Sequence, residues 1–409
     1  MNDFLIRNCK LFDGETFHSD QDVRIEQGVV TDVSNAAERP GAGTDDVGIP
    51  TLDGAGKTLT PGIIDCHVHM TTREAGSLDA MMEPFSLQFF QAVEHLSRTL
   101  RAGVTTVRDA GGSDAGVKAA LERGIVEGPR LRAAISIMSQ TGGHGDGRLP
   151  SGAESPMLSG HPGRPHGVAD GVDGVTRKAR ELFHAGADHI KICSTGGVLS
   201  PADDPRHSQF TEAEIRAIVA EAAAQGSYVM SHAQGSNGIK TALRAGVRSI
   251  EHGIYLDDEA IELFLETGAY LVPTLQAPVS VIRAADSGSN LPASVVEKAR
   301  HVADVHIESI AKAHHAGVRL AMGTDAGVGP HGQNLEELEL LSKVGLSAAE
   351  ALRAATVNGA DLMGIDDIGR VTRGAVADLV LFEGDVEADG LVGIQDRVHA
   401  VFQSGVHVV

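Results

Sequence analysis

The chain has no tryptophan, three tyrosines and three cysteines in 409 residues. So few aromatics leave little stacking surface for nucleobases. A formal charge of −21 works against nucleic acid as well, because phosphates call for a basic surface. Cys9, Cys66 and Cys193 are too few for a disulfide scaffold and suit a reducing compartment. No apolar run is long enough to span a bilayer. The N-terminus lacks the basic segment and apolar core of an export signal. The expectation is a cytoplasmic protein with a small-molecule substrate and neither a nucleic-acid nor a membrane partner. The length, with 42% hydrophobic residues, leaves room for a large core and more than one domain.

Two patterns organise what is present. Residues 1 to about 60 alternate in short β-rich runs, as in Val23-Arg24-Ile25 and Val29-Val30-Thr31-Asp32-Val33 around Gln27-Gly28, a hairpin signal. From Gly62 to about Gly364 a cassette recurs in which a helix ends in glycine and a β-rich run follows. Arg101-Ala102-Gly103, His184-Ala185-Gly186, Ala224-Gln225-Gly226, Arg244-Ala245-Gly246, Thr267-Gly268 and His315-Ala316-Gly317 each precede such a run. Glycine suits a left-handed helix C-cap feeding a short loop. Thr211 with Glu214 and Ser347 with Glu350 have the spacing of capping boxes. With strands at 62–66 and 131–137 the count reaches eight, which points to an α/β fold, a (β/α)8 TIM-like barrel over 61–364. A doubly wound sheet is the alternative, but no Gly-x-Gly-x-x-Gly turn follows the first strand. The tail regains β character at 377–382 and 398–402. The reading is a small β-sandwich domain formed from 1–60 and 365–409, with a separate C-terminal hairpin as the alternative. Residues 139–170 and 275–293 read as long loops, which on an enzyme are usually lids or binding loops.

The chemistry gathers at strand ends. His67 and His69 close the run Pro61-Gly62-Ile63-Ile64-Asp65-Cys66. On a strand their i, i+2 spacing puts both on one face, which makes either half of a metal site or a pair of core histidines. Lys191, His232, His252 and Asp325 likewise close apolar runs and precede small-residue loops. Active sites of such barrels assemble at the C-terminal ends of several strands. Lys191, between Ile190 and Ile192, is costly to bury as an ammonium. Either it reaches a buried carboxylate or its amine does not stay cationic. Tyr228, four residues before His232, lies deeper and reads as core.

The run Pro61 to His69, with Lys191, Ser231-His232-Ala233, Ile250-Glu251-His252-Gly253 and Gly323-Thr324-Asp325-Ala326, resembles the amidohydrolase superfamily over nearly the whole chain. The stretches Lys191 to Ser200 and Ser139 to Asp146 are similar to its prolidase-like branch of Xaa-amino-acid dipeptidases, which also holds amidases acting on N-acyl amino acids and on some amides, ureas and carbamates. The resemblance implies a binuclear centre, usually zinc. His67, His69 and Asp325 would hold the more buried metal and His232 and His252 the more exposed one. Lys191, carboxylated by carbon dioxide, would bridge the two. Asp325 would move the proton, and His144, with Gly143 and Gln234, would meet the substrate. Many dipeptidase-like relatives have tyrosine where this chain has Gln234, which puts strict dipeptidase specificity in question. The implied activity is hydrolysis of a dipeptide or N-acyl amino acid. The alternatives are a non-peptide amide, urea, carbamate or cyclic amide as substrate, and, more remotely, a non-catalytic scaffold. Relatives often form homo-oligomers.

Overall fold

The computed structural model describes residues 3–38, 48–73, 82–148, 158, 160–200 and 203–409. Part of the expected loop at 139–170 lies outside these residues. The chain divides into two compact units.

The first unit comprises Met1–Asp65, Ser97–Thr106 and Gly332–Val409, so it takes in 97–106 and 332–364 besides the terminal strands. Its strands run in the order Val406–His407, Val398–Gln403, Leu379–Glu383, Lys57–Pro61, Phe4–Phe12, Phe17–Glu26, Val29–Asn35, with Thr51–Asp53 also paired to Phe4–Phe12. The hairpin turn at Gln27-Gly28 has φ of 52° and 80°, the positive pair that matches the twist of the flanking strands. Leu11, Val23, Ile25, Leu59, Leu379, Leu381 and Ala400 pack on one another in its core, each large side chain contributing about 1.5–3 kcal/mol by leaving water. The strands are hydrogen-bonded into one continuous eight-stranded sheet. Register shifts after Ile6, Cys9, Arg24 and Leu381 interrupt its ladders, and bulges of this kind bend strands. The edge strand then meets the chain ahead of Leu379, with Val29 bridged to Val376.

The second unit comprises Cys66–Leu96 and Val107–His331. Its parallel sheet runs Ile137–Met138, Ile190–Cys193, Val229–Ala233, Ser249–His252, Tyr270–Val272. A three-stranded sheet orders Ile63–Val68, Val104–Asp109, Arg130–Ala133. The cassette glycines 103, 186, 226, 246, 268 and 317 all have φ between 67° and 100°, the left-handed conformation expected of helix ends. Both capping boxes form, Thr211 with Glu214 and Ser347 with Glu350. No helix among the described residues is long and apolar enough to cross a membrane.

Two expectations are corrected. Residues 318–321 form no regular strand. The segment is bonded on both sides instead. Leu271 N–H donates to Arg319 and Ala321 N–H to the Leu271 carbonyl, while Cys66 N–H donates to Met322 and Asp325 N–H to the His67 carbonyl. Second, 275–293 is not a loop. Gln276–Asp286 is helical, and Ala293–His315 is a second, longer helix. Pro278 falls in the first turn of Gln276–Asp286, where its missing N–H has no intrahelical acceptor to lose.

Gly323 lies where this segment is tightest. A Cβ there would stand 2.4 Å from Val272 Cγ1 and 2.9 Å from His67 Cβ. Gly323→Ala is therefore expected to destabilise the protein by about 1–3 kcal/mol through overpacking, read as a lowered denaturation midpoint with an unchanged slope.

Candidate metal centre and active-site cavity

The structure brings His67, His69, Lys191, His232, His252 and Asp325 to one cavity that opens to solvent; His144 and Gln234 also line it. Strand register places them. Cys193 pairs with His232 and Ala233 with His252 in the parallel sheet, and the Asp325 N–H donates to the His67 carbonyl. His252, Thr274 and Asp325 have φ of 76°, 54° and 60°, so the strand ends carry left-handed backbone where the site is built.

His67, His69 and Asp325 form a group whose ligand atoms lie within 4.8 Å of one another. Asp325 Oδ1 is 3.5 Å from His67 Nε2 and 3.3 Å from His69 Nε2. The His252 ring centre is 5.1 Å from that of His67 and 4.6 Å from that of His232.

Each of the four strand-end histidines has one ring nitrogen tied to a protein oxygen. His67 Nδ1 donates to Glu251 Oε2 at 2.8 Å, His69 Nδ1 to the Gly111 carbonyl at 2.7 Å, and His232 Nε2 to the Gly196 carbonyl at 3.0 Å. His252 Nδ1 donates to Thr274 Oγ1 at 2.7 Å, and that hydroxyl spends its own hydrogen on the Pro273 carbonyl at 2.6 Å. In a neutral ring the lone pair then falls on the opposite nitrogen, Nε2 of His67, His69 and His252 and Nδ1 of His232. Burial pushes His67, His232 and His252 well below the usual imidazole pKa, so these rings are neutral, the form that ligates a metal. Burial also opposes charge on His69, but Asp325 outweighs it and raises its pKa. Asp325 is held at about 2, where His67 and His69 overcome the cost of its burial.

Lys191 is 2% exposed, and its Nζ has no hydrogen-bond partner. Burial pushes its pKa down against the pull of Glu251, Cys193 and Asp325. Asp325 Oδ1 is also buried without a hydrogen-bond partner. An unpaired amine and an orphan carboxylate oxygen beside lone-pair nitrogens form a donor set that fits divalent metal ions.

Several contributors were not legible as site residues. Arg108 and Glu251 are fully buried; Arg108 Nη2 donates to Glu251 Oε1 at 2.9 Å, and Arg108 Nε to the Cys66 carbonyl at 2.7 Å. Tyr228 is 5.9 Å from the Arg108 guanidinium and belongs to this underside rather than the cavity. His144 stacks on His232 with centres 4.3 Å apart, and its Nδ1 meets Asp203 Oδ2 at 3.1 Å. Lys298 holds the Asp203 loop by donating to the Gly197, Ser200 and Asp203 carbonyls at 3.0, 2.6 and 2.6 Å. Gly143 does not line the cavity. A Cβ there would lie 2.4 Å from Ser139 Oγ, so it serves the packing of the turn that presents His144.

A buried histidine–carboxylate group that could hold a metal ion thus lies beneath a cavity, and a family match makes the protein a hydrolase. Residues 58–408 match the amidohydrolase family, and the chain belongs to that family, within its prolidase-like branch. It is 33% identical over 344 residues to the ochratoxinase of Aspergillus niger, a match covering 80% of this chain and 70% of the relative. Its structure superposes on a Xaa-Pro dipeptidase with methionine bound in the active site, with TM-score 0.88, 33% identity and 99% of each chain covered. A prolidase complexed with N-methylphosphonate-L-proline gives TM-score 0.89 at 34% identity, again over 99% of each chain.

Glu251→Gln removes the anionic acceptor that orients His67. Metal affinity is expected to fall by about 10–100-fold, measured by competition with a chromophoric chelator.

Proposed function

We propose that the protein hydrolyses the amide bond of a dipeptide or N-acyl amino acid at a binuclear centre, with zinc as the metal. His67, His69 and Asp325 would hold one ion, and His232 and His252 the other. Lys191, carboxylated on Nζ, would bridge them. The observation that carries this reading is the buried Nζ of Lys191 without a hydrogen-bond partner. As a neutral amine, the form its burial favours, it would add to carbon dioxide and lose a proton, giving an anionic carbamate with oxygen donors. We also read the parallel strands as a (β/α)8 barrel, supported by the bonding of 319–326 to Leu271 on one side and to Cys66 and His67 on the other.

Two divalent ions so held would supply an activated water near neutral pH and polarise the scissile carbonyl. The chain's own groups do the rest. Asp325, ionised well below neutral pH, accepts the proton of the attacking water and delivers it to the nitrogen as the C–N bond breaks. His144, fixed by Asp203 and by stacking on His232, presents its ring to the substrate. Val198, Leu199, Ile254, Val281, Val302 and Val328 line the cavity and exclude water from the substrate's apolar part.

That wall favours a second reading with the same site. Among the described lining residues Asp325 is the one carboxylate and Lys191 the one lysine or arginine. With Gln234 in place of tyrosine, a non-peptide amide, urea, carbamate or cyclic amide is an alternative substrate.

Three outcomes are expected. Zinc-loaded protein releases a defined amino acid from a panel of dipeptides and N-acyl amino acids, read by mass spectrometry. Silence across the panel with two metals bound selects the second reading. Asp325→Asn abolishes turnover, by at least about 10³-fold, while metal stays largely bound; full activity in that variant overturns the proton-transfer role. Protein exchanged into ¹³C-bicarbonate shows a carbamate carbonyl resonance that Lys191→Ala lacks.

A further inference from the structure

The helix Ala293–His315 faces the cavity with Val302 and His306, and His306 Nε2 is 2.9 Å from the His252 carbonyl. The same helix makes a second connection to the site. Its Val295, Ala299 and Val302 pack with Val198 of the chain that follows Ile190–Cys193. Lys298, one turn after Val295, sends its ammonium to that chain. An ammonium has three hydrogens, and three carbonyls receive them, those of Gly197, Ser200 and Asp203. Asp203 Oδ1 lies 3.7 Å from the same Nζ. Hydrogen bonds from an ionised donor are about twice as strong as neutral ones, so this short run of backbone is held firmly. Two of the three residues so held meet His144. A Cβ on Gly197 would stand 2.2 Å from His144 Cε1, so bare backbone lies against the ring. Asp203 Oδ2 is 3.1 Å from His144 Nδ1. Lys298 itself does not line the cavity.

We propose that Lys298 is a positioning residue, which fixes the His144 ring through Gly197 and Asp203 and so sets how the substrate is held without touching it. This rests on the reading of His144 as a substrate contact, and adds the part of the chain that places it. The ring is gripped at its edge by Asp203 and against its surface by Gly197, and both grips are anchored at one Nζ. Freeing that anchor lets both contacts drift together. A small displacement of a group that orients substrate is costly in rate, although nothing in the cavity lining has changed.

The test is a double-mutant cycle on a dipeptide or N-acyl amino acid that the zinc-loaded wild type cleaves. Lys298→Met keeps the stem and removes the donors. It is expected to lower kcat/KM by about tenfold to a hundredfold. In a His144→Ala background the same substitution is expected to cost less than about threefold, because the ring it places is gone. A merely structural role for Lys298 costs the same in both backgrounds, and equal losses overturn the proposal, as does full activity in either single variant. Lys298→Gln serves where the methionine variant folds poorly, with the same expectations. Hydrogen exchange on the zinc-loaded protein gives a second readout that needs no substrate. In the Lys298 variant, peptides covering 139–148 and 194–200 are expected to exchange faster, while those covering 249–252 do not change. An unchanged rate at 139–148, or a change confined to 293–315, overturns the proposal. Should wild type cleave nothing in the panel, the amide reading fails on its own, and the exchange measurement decides whether Lys298 places His144.

Discussion

The buried pair of Arg108 and Glu251 is the constraint on which the site depends. Both are fully buried, and removing one partner of such a pair strands the other charge at a cost of about 3–5 kcal/mol. The pair is further tied in, with Arg108 bonded to the Cys66 carbonyl and to Ser249 Oγ. Three strands that are far apart in sequence therefore share one electrostatic knot. Glu251 spends its remaining oxygen on His67, so the same knot that binds the strands sets the ring of the first strand-end histidine. Stability and site geometry cannot be varied independently here.

Electrostatics above the knot follow from it. The surroundings hold three of the four histidines neutral, and hydrogen bonds to carbonyl, carboxylate and hydroxyl oxygens select which nitrogen keeps its lone pair. The choice is not uniform, since His232 is tied through Nε2 and the others through Nδ1. Such an arrangement costs stability unless something occupies the space between the lone pairs. Lys191 and Asp325, with their unpartnered atoms, make the same point from the other side.

Five of the six residues were legible as strand ends because a period of two and a recurring glycine-ended cassette mark where strands finish; Asp325 instead follows 318–321, which form no regular strand. The composite sheet was legible in the matched character of the two termini, but its continuity was not, since bulges leave no simple pattern in the residues themselves. Residues 318–321 read as a strand from composition, yet their hydrogen bonds go in turn to Leu271 and to the first strand. Glu251 stood in plain view before His252 but points beneath the cavity, to partners 143 and 184 residues away in the chain. His306 was hidden differently. It sits in a long helix where histidine attracts no notice, and only the fold puts the His252 carbonyl against its ring.

The helices 276–286 and 293–315 supply Ala277, Pro278, Val281, Val302 and His306 to the cavity, all within one contiguous stretch of sequence. The candidate metal-binding residues, by contrast, are scattered between residues 67 and 325. Part of the cavity wall is thus encoded as a cassette, and the histidines, Lys191 and Asp325 as a dispersed set. A lineage can exchange or drift that cassette while the scattered set stays fixed. Homologues with nearly superimposable centres can then diverge in diet, and likeness at the strand ends is a poor guide to what each one consumes.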